Sequence, residues 1–415
     1  MGFPEGRRRL VVAVATLLTL AVVVGIGYRV LAPAEVSTPA RGAPPAAGTP
    51  AIGVVGRLPV APLVVAGRLR VYAAERQLYA DQPADGRNRV TPFWSYRRWP
   101  ASLDGVLATG TTVLSRWSDG KLVALDALTG RVAWRADGPT PVDAPPARRT
   151  GAATVWDPRG ISVTPAPAGR TVLVVSGSGG PRGYDLADGR SLWRVDGDRD
   201  CRTDLGTTAA GQVFSVDSCD GRTAVEFRDG ATGTVATRWR PPDAPARFTV
   251  TPVGCLTPRS QCRGLRTDDG SGGRGWQVGP GAPMAAPALD AADTTLVGEL
   301  AVGDYGGVLK GREARSGKER WQRGDLGPVR ILATEAGRLY VLTERRELIT
   351  LDPVTGAQRS RFPMTPGRDG IGWKPGRAYA AGGYVAVERL RERADPDDDD
   401  QAYFLMAEPV VLAAT

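Results

Sequence analysis

The residues that could carry chemistry in this sequence are few, and the four cysteines come first. Cys201 and Cys219 flank a predicted strand pair, and Cys255 and Cys262 flank a short loop. Metal binding is one alternative, but neither spacing is the C-x-x-C spacing of a zinc site. Outside the cytoplasm four cysteines form two disulfides, and three connectivities are formally open. We expect the sequential pairs, because each closes a plausible hairpin or loop.

Two further motifs could bind ions. The carboxylate run from Asp395 to Asp400 could hold calcium, but it lacks the glycine and the closing glutamate of an EF-hand. We expect a solvated loop there. Gly270 to Gly275 matches the phosphate-binding pattern G-x-G-x-x-G, but it runs into a predicted strand at Trp276. Without a helix N-terminus no row of free N–H groups faces a phosphate, so we expect a turn.

The chain contains no histidine. This excludes Ser-His-Asp and Cys-His nucleophiles, histidine general acid–base catalysis and histidine metal ligands. Walker-type loops, nucleophile elbows and N-glycosylation sequons are also missing from the sequence. We therefore expect no catalytic, cofactor-binding or metal site, and a protein that is not an enzyme.

Composition favours many short strands. The 415 residues are 42% hydrophobic, enough for a large core, and include 53 glycines and 34 prolines. The net charge of +9 comes from arginine. These arginines are scattered and form no stripe, so we attribute them to codon usage and expect no nucleic-acid binding.

The N-terminal region has the features of a membrane anchor. Arg7, Arg8 and Arg9 precede an uncharged apolar run from Leu10 to Gly27. Its length suits a bilayer core of ~30 Å, and the charge bias places the N-terminus inside. A signal peptide cleaved after Ala32-Pro33-Ala34 is the alternative, but its apolar region is usually shorter. We expect a cytoplasmic head at 1–9, a transmembrane anchor at 10–31, a disordered Pro/Ala-rich tether at 32–50 and an extracytoplasmic domain at 51–415.

A tight-turn pattern recurs along this domain. Its fullest copy runs from Ala124 to Trp134, with Asp126, Thr129 and Gly130 in the turn. Glycine permits a positive φ, and the Asp and Thr oxygens bond the turn's own backbone, so the flanking strands form an antiparallel hairpin. Partial copies begin at Asp185, Asp229, Glu313 and Asp352.

A large aromatic residue closes each unit and sets the period of the repeat. The steps between these residues are 40, 59, 46, 37, 45 and 41 by subtraction of their positions, and an insertion at 139–158 explains the longest. Such a period predicts four-stranded propeller blades, in which the rings pack between neighbouring blades. The closing residues are Trp94, Trp134, Trp193, Trp239, Trp276, Trp321 and Phe362.

One further strand-rich stretch, Tyr379–Leu412, follows the seven closing aromatics. The fold class is therefore all-β, an eight-bladed β-propeller after an N-terminal transmembrane helix, with seven blades as the alternative. Strands around Val54–Val65 would complete the last blade and fasten the ring.

The pattern Ala-x-Asp-x-x-Thr-Gly-x-x-x-Trp at 124–134 resembles the tryptophan-docking motif of pyrroloquinoline-quinone-type β-propellers. The resemblance covers about residues 51–415. That family includes quinoprotein dehydrogenases, an outer-membrane assembly lipoprotein and extracellular domains of receptor kinases. Its enzymes hold calcium and quinone with an asparagine and acidic residues, often beside adjacent cysteines. Here the single asparagine is Asn88 and no cysteines are adjacent, which implies a non-enzymatic member without a cofactor.

These observations together predict the function. We expect a single-pass plasma-membrane protein whose extracytoplasmic propeller is a scaffold in the cell envelope and binds a protein partner or a small ligand. The alternative is a quinone-dependent dehydrogenase or a carbohydrate-acting enzyme that uses carboxylates facing the channel.

Overall fold

The computed structural model describes residues 12–23, 34–48, 51–142 apart from 83, 86, 88 and 90, 150–196, 201–335 apart from 258, 337–364, 373–390 and 410–415. Within these ranges the chain forms thirty-three strands in eight antiparallel sheets. The predicted all-β, eight-bladed propeller is confirmed.

The first four blades follow one another in chain order. β1 (Glu35–Thr38) and β2 (Gly53–Leu58) precede them. Blade 1 contains β3 (Leu63–Val65), β4 (Leu69–Ala74), β5 (Gln77–Asp81) and β6 (Trp94–Arg98); blade 2 contains β7 (Leu103–Thr109), β8 (Thr112–Trp117), β9 (Lys121–Asp126) and β10 (Val132–Asp137); blade 3 contains β11 (Ile161–Pro165), β12 (Thr171–Val175), β13 (Arg182–Asp185) and β14 (Ser191–Arg194); blade 4 contains β15 (Arg202–Thr207), β16 (Gln212–Asp217), β17 (Ala224–Asp229) and β18 (Val235–Trp239).

The other four blades complete the ring. Blade 5 contains β19 (Thr249–Val253), β20 (Gly264–Asp268), β21 (Gly273–Gln277) and β22 (Met284–Ala285); blade 6 contains β23 (Thr295–Val297), β24 (Leu300–Asp304), β25 (Leu309–Glu313) and β26 (Glu319–Arg323); blade 7 contains β27 (Val329–Glu335), β28 (Arg338–Thr343), β29 (Glu347–Leu351) and β30 (Gln358–Pro363); blade 8 contains β31 (Lys374–Ala381), β32 (Tyr384–Leu390), β33 (Val410–Ala414) and β2.

Helices are short in this part of the chain. They are α1 (residues 12–23), α2 (Ala152–Val155) and the 3-10 turns Pro167–Gly169 and Pro287–Leu289. None of the described helices is long and apolar enough to cross a membrane. The predicted head, 1–9, and the predicted anchor outside residues 12–23 lie beyond the described residues.

The ring closes through strands from opposite ends of the domain. β2 pairs antiparallel with β33, from Gly53 opposite Ala414 to Leu58 opposite Val410. Leu58 is fully buried and packs in an apolar cluster shared by blades 8, 1 and 2. The sequence prediction that N-terminal strands complete the last blade is thereby confirmed for β2.

Blade 1 carries an extra strand, which corrects the expectation of a disordered tether over 32–50. β1 pairs with the outer strand β6, from Glu35 opposite Arg98 to Thr38 opposite Ser95. Val36, Ser37 and Thr38 are β-favouring or neutral, and the open edge of blade 1 supplies the backbone partners that a lone segment lacks.

The propeller has two distinguishable ends. First strands of neighbouring blades contact one another around the central channel. Because each blade is an antiparallel meander, its first-to-second and third-to-fourth connections lie at one end, which we name the motif end. Second-to-third connections and the links between blades lie at the opposite end, which we name the entry end.

Candidate functional site

Four of the predicted docking tryptophans share one geometry. Each lies on the fourth strand of its blade's meander, and its indole N–H donates to a carbonyl in the motif turn of the next blade, one residue after the acidic residue that opens the turn. The bonds are Trp94 to Ala127 at 2.7 Å, Trp134 to Leu186 at 2.9 Å, Trp193 to Gly230 at 2.8 Å and Trp321 to Pro353 at 3.0 Å.

The glycine of each motif turn lies directly beneath the docked ring. At Gly130 and Gly189 an added Cβ would lie 2.5 Å from ring atoms of Trp94 and Trp134. Both glycines have positive φ, 68° and 76°. The turn itself is held by Asp126, whose Oδ1 accepts from the backbone N–H and the hydroxyl of Thr129, both at 2.8 Å. The sequence motif is therefore a socket for the tryptophan of the preceding blade.

The other three aromatics depart from this geometry. Trp276 lies in β21, the third strand, and not on the outer strand; its N–H donates to Thr267 in its own blade at 2.9 Å. The outer strand β22 has only two residues and no aromatic, so no ring reaches Gly317 in the next turn. Trp239 instead meets Trp276 edge-on at 5.0 Å. The Phe362 side chain has no N–H group, and it packs half-buried between blades 7 and 8.

The cysteines form the two sequential disulfides. Cys201–Cys219 joins the ends of β15 and β16, and Cys255–Cys262 closes the connection between β19 and β20. We name residues 254–263 the stapled loop. It leaves blade 5 at the motif end and enters the channel.

The stapled loop is bonded to the inner strands of blades 3 and 4. Thr207 N–H donates to Arg259 carbonyl and Cys262 N–H to Thr207 carbonyl, both at 2.8 Å. Val163 N–H donates to the hydroxyl of Ser260, which is fully buried, at 3.1 Å. These bonds give hydrogen-bond partners to backbone N–H and carbonyl groups on the channel side of the inner strands.

A second segment fills the channel from the entry end. We name residues 150–160 the channel segment. Residues 150–158 belong to the predicted insertion 139–158, of which 143–149 lie outside the described residues. Trp156 is 2% exposed, donates from its N–H to Pro62 carbonyl at 2.8 Å and stacks on Tyr379 with ring centroids 6.1 Å apart. Arg116 of blade 2 donates to the carbonyls of Arg159 and Ser176 at 2.7 and 2.6 Å.

The two segments meet inside the ring. Asp157 of the channel segment pairs with Arg377 of blade 8 and lies 3.7 Å from Arg259 of the stapled loop. Its carboxylate therefore joins structures that lie far apart in sequence. The two segments thus occupy part of the channel inside the ring.

The remaining channel is a cavity of about 1020 Å³ beside blades 6, 7 and 8. Its wall includes Leu256 and Thr257 of the stapled loop, Thr294, Ile331 and Tyr379. The inner strand β27 is only half-buried along most of its length, whereas β3 is fully buried. The open half of the channel therefore presents backbone and mixed polar and apolar side chains.

The charged side chains of this wall are Asp293, Asp304 and Arg330, and its other polar groups are neutral. The hydroxyls of Thr257 and Thr294 are buried and have no hydrogen-bond partner in the described part of the chain. Burial raises the pKa of Tyr379, so its phenol stays protonated at neutral pH. Asp304 has a structural role, because its carboxylate accepts hydrogen bonds from the backbone N–H groups of Gly307 and Val329, both at 2.7 Å. Such a wall binds by hydrogen bonds and apolar contact.

No group of three acidic or cysteine side chains is placed to hold a metal ion among the described residues. The Asp395–Asp400 run and Asn88 lie outside those residues. Gly270 to Gly275 forms the turn between β20 and β21 and the start of β21, as the sequence predicted.

Sequence reasoning missed the buried arginines. Arg70 is fully buried and pairs with Asp81 through two bonds, of 2.8 and 2.7 Å. Arg116 pairs with Asp104 at 2.6 Å. Burial raises the pKa of both carboxyls and the arginines oppose the rise. The available signal was an arginine inside an apolar strand, as at Leu69–Val71, so codon usage alone does not explain these positions.

Comparison with known proteins gives one family match. The profile of the family described as outer membrane protein assembly factor BamB matches residues 49–159 and 147–328. The serine/threonine-protein kinase AfsK of Streptomyces griseus is 27% identical over 164 residues, which are 37% of this chain and 20% of the kinase. The chain thus spans about a fifth of that relative's length.

Solved structures with similar folds include BamB from Moraxella catarrhalis, at 14% identity over 88% of this chain and 98% of that one, with a TM-score of 0.42. A europium-containing methanol dehydrogenase matches at 14% identity over 88% of this chain and 92% of the enzyme, with a TM-score of 0.42. At these identities the likeness concerns the fold alone.

Proposed function

The chain belongs to the family of outer membrane protein assembly factor BamB, and we propose that it is a membrane-anchored, extracytoplasmic scaffold that binds a protein partner of the cell envelope. Propellers present several loops on one rigid ring, and such surfaces suit protein binding. The family match supports a scaffold of this kind. It leaves the partner to be found by experiment.

The sequence supports the proposed membrane anchor and the extracytoplasmic location of the propeller. The uncharged run from Leu10 to Gly27, preceded by three arginines, suits an anchor at 10–31 with the N-terminus inside. The two disulfides suit an oxidising compartment outside the cytoplasm.

One observation carries the binding proposal: a cavity remains inside the ring, and the stapled loop places an exposed aliphatic side chain beside it. Leu256, on the stapled loop, is 55% exposed and lines the cavity. The disulfide and the bonds to Thr207 hold this loop in place. A partner that covers the cavity here would bury the Leu256 side chain and gain the free energy of removing it from water.

The test is capture of cross-linked neighbours of the full-length chain from native membranes, identified by mass spectrometry. We expect one envelope protein to be enriched reproducibly, and Leu256→Glu to reduce its recovery at least fivefold. Val354→Glu is the matched control, because Val354 is 68% exposed in a turn at the same end but far from the channel. Equal recovery with both variants, or no enriched protein, would contradict the proposal.

The cavity favours a second candidate, binding of a small ligand or substrate. The unpartnered hydroxyls of Thr257 and Thr294 are suited to a neutral polar molecule. A quinone-dependent dehydrogenase or a carbohydrate-acting enzyme would use the same space. Native mass spectrometry of the purified protein would reveal a bound molecule, whereas a protein that binds no quinone and turns over no sugar or alcohol would exclude this alternative.

A further inference from the structure

β1 fixes the place at which the chain enters the propeller. Besides its pairing with β6, the Ala34 carbonyl accepts from Trp99 N–H at 2.8 Å, and Ala40 N–H donates to Thr129 carbonyl of blade 2 at 2.9 Å. Glu35 pairs with Arg135 of blade 2. The segment is thus bonded to two blades, and its start lies at the entry end because β1 is antiparallel to β6.

An amphipathic surface surrounds this entry point. Trp99 is 36% exposed, and the Arg76 guanidinium, which also pairs with the exposed Glu75 at 3.1 Å, lies 4.0 Å from the centre of its ring. Arg97 is exposed on the same strand end. We name Trp99, Arg76 and Arg97 the Trp99 patch. Arg76 lies in the turn between β4 and β5, which also belongs to the entry end.

Covalent geometry limits the distance between this patch and the predicted anchor. Only three peptide units separate Leu31, the last anchor residue, from Ala34. At 3.8 Å per unit they span at most ~11 Å. Because Trp99 is bonded to Ala34, an anchored chain holds Trp99 close to the bilayer interface.

We propose that the Trp99 patch contacts the lipid headgroups of the membrane surface, with the phosphates as partners of the two arginines. The inference rests on the proposed anchoring by residues 10–31. Tryptophan concentrates at the interface because its ring is apolar and its N–H is polar, and arginine pairs with phosphate while its stem stays on the ring. The motif end, with the stapled loop and Leu256, then faces away from the membrane.

The experiment uses the full-length chain in lipid nanodiscs that contain headgroup nitroxide lipids. All four native cysteines are in disulfides, so an added cysteine can be labelled selectively. A fluorophore at Glu75→Cys, beside Arg76, reports the patch, and one at Val354→Cys reports the motif end. We expect quenching at position 75 to exceed that at 354 at least twofold. Equal quenching would overturn the inference.

A second variant separates the patch from the anchor. Trp99→Ser combined with Arg76→Ser should reduce the quenching at position 75 by at least half while the chain stays in the nanodisc. Unchanged quenching would show that the anchor alone sets the distance and would overturn the inference. A chain that does not enter nanodiscs at all would defeat the anchoring proposal, and with it this one.

Discussion

At the scale of single residues, the motif turn and the docking tryptophan form one unit. The acidic residue shapes the turn together with a threonine in three copies and Asp188 in the fourth, the glycine leaves room for the ring, and the carbonyl after the acidic residue accepts the indole N–H. Four blades of the ring, those that carry Trp94, Trp134, Trp193 and Trp321, use it. Two constraints therefore favour glycine at each of these positions: the positive φ of the backbone and the tryptophan ring that packs against it.

Substitutions at two glycines separate the effect of the backbone from the effect of the ring. Gly189 and Gly317 occupy the same turn position with φ of 76° and 70°, but only Gly189 lies under a tryptophan, and an added Cβ at Gly317 meets nothing within 4 Å. We expect Gly317→Ala to cost about 1–2 kcal/mol from the backbone alone, and Gly189→Ala about 1–3 kcal/mol more from the clash with Trp134. Urea-unfolding midpoints measure the difference, and equal midpoints would contradict the socket.

The sequence predicted these turns because their bonds are local. It did not place Trp276, because an aromatic at the expected spacing can stand on either the third or the fourth strand. It also did not reveal the buried pair Arg70–Asp81, whose burial depends on packing between strands and not on the local pattern. Long-range packing is the information that a single sequence lacks.

At the scale of elements, β1 shows how an open sheet edge decides the structure of a neighbouring segment. The Pro/Ala-rich composition of 32–50 predicts disorder, but four residues within it find partners on β6. A segment of four residues is too short to show the two-residue period of a β-strand in the sequence. The bond between Glu35 and Arg135 then ties the strand to blade 2.

This ion pair makes β1 sensitive to acid. Hydrogen bonding to Arg135 lowers the pKa of Glu35 below its ordinary 4.5 despite partial burial. Since the folded-state pKa is the lower one, the stabilisation is present above about pH 4.5 and is lost as pH falls through the folded value. Both side chains are partly exposed, so we expect less than about 1 kcal/mol.

Hydrogen exchange measured by mass spectrometry, corrected for intrinsic rates, tests this expectation. Protection of residues 35–38 should fall from pH 6 to pH 3.5, by up to roughly fivefold for an effect of that size. In Glu35→Gln the protection should be lower at pH 6 and should change little with pH. A variant with the same pH dependence as the native chain would assign the effect to another group.

At the scale of the whole molecule, ring closure by β2 is the feature on which the other contacts depend. Without β2, strand β33 becomes an open edge, and the apolar cluster shared by blades 8, 1 and 2 loses Leu58. The eight-fold repeat and this closure were readable from sequence periodicity. The filling of the channel was not, since Asp157 and Arg377 stand 220 positions apart.

Two truncations test the closure. A chain that begins at residue 41 loses β1 but keeps β2, whereas one that begins at residue 61 loses both. We expect the first truncated chain to unfold cooperatively near the melting temperature of the full-length chain. We expect the second to melt at least 10 °C lower or to lose its single unfolding transition. If the shorter chain does not accumulate, Leu58→Ala should cost about 2–5 kcal/mol. Equal melting temperatures of the two truncated chains, together with an unchanged stability of Leu58→Ala, would contradict a dominant role for ring closure.

The pairing of β2 with β33 also has a consequence for biosynthesis. β2 leaves the ribosome before any blade is complete, and its partner is among the last residues to be made. Until residues 410–414 have been synthesised, β2 has no sheet to join, and an unpaired strand of this kind is a target for aggregation. We expect the unfinished chain to need a chaperone until the ring can close.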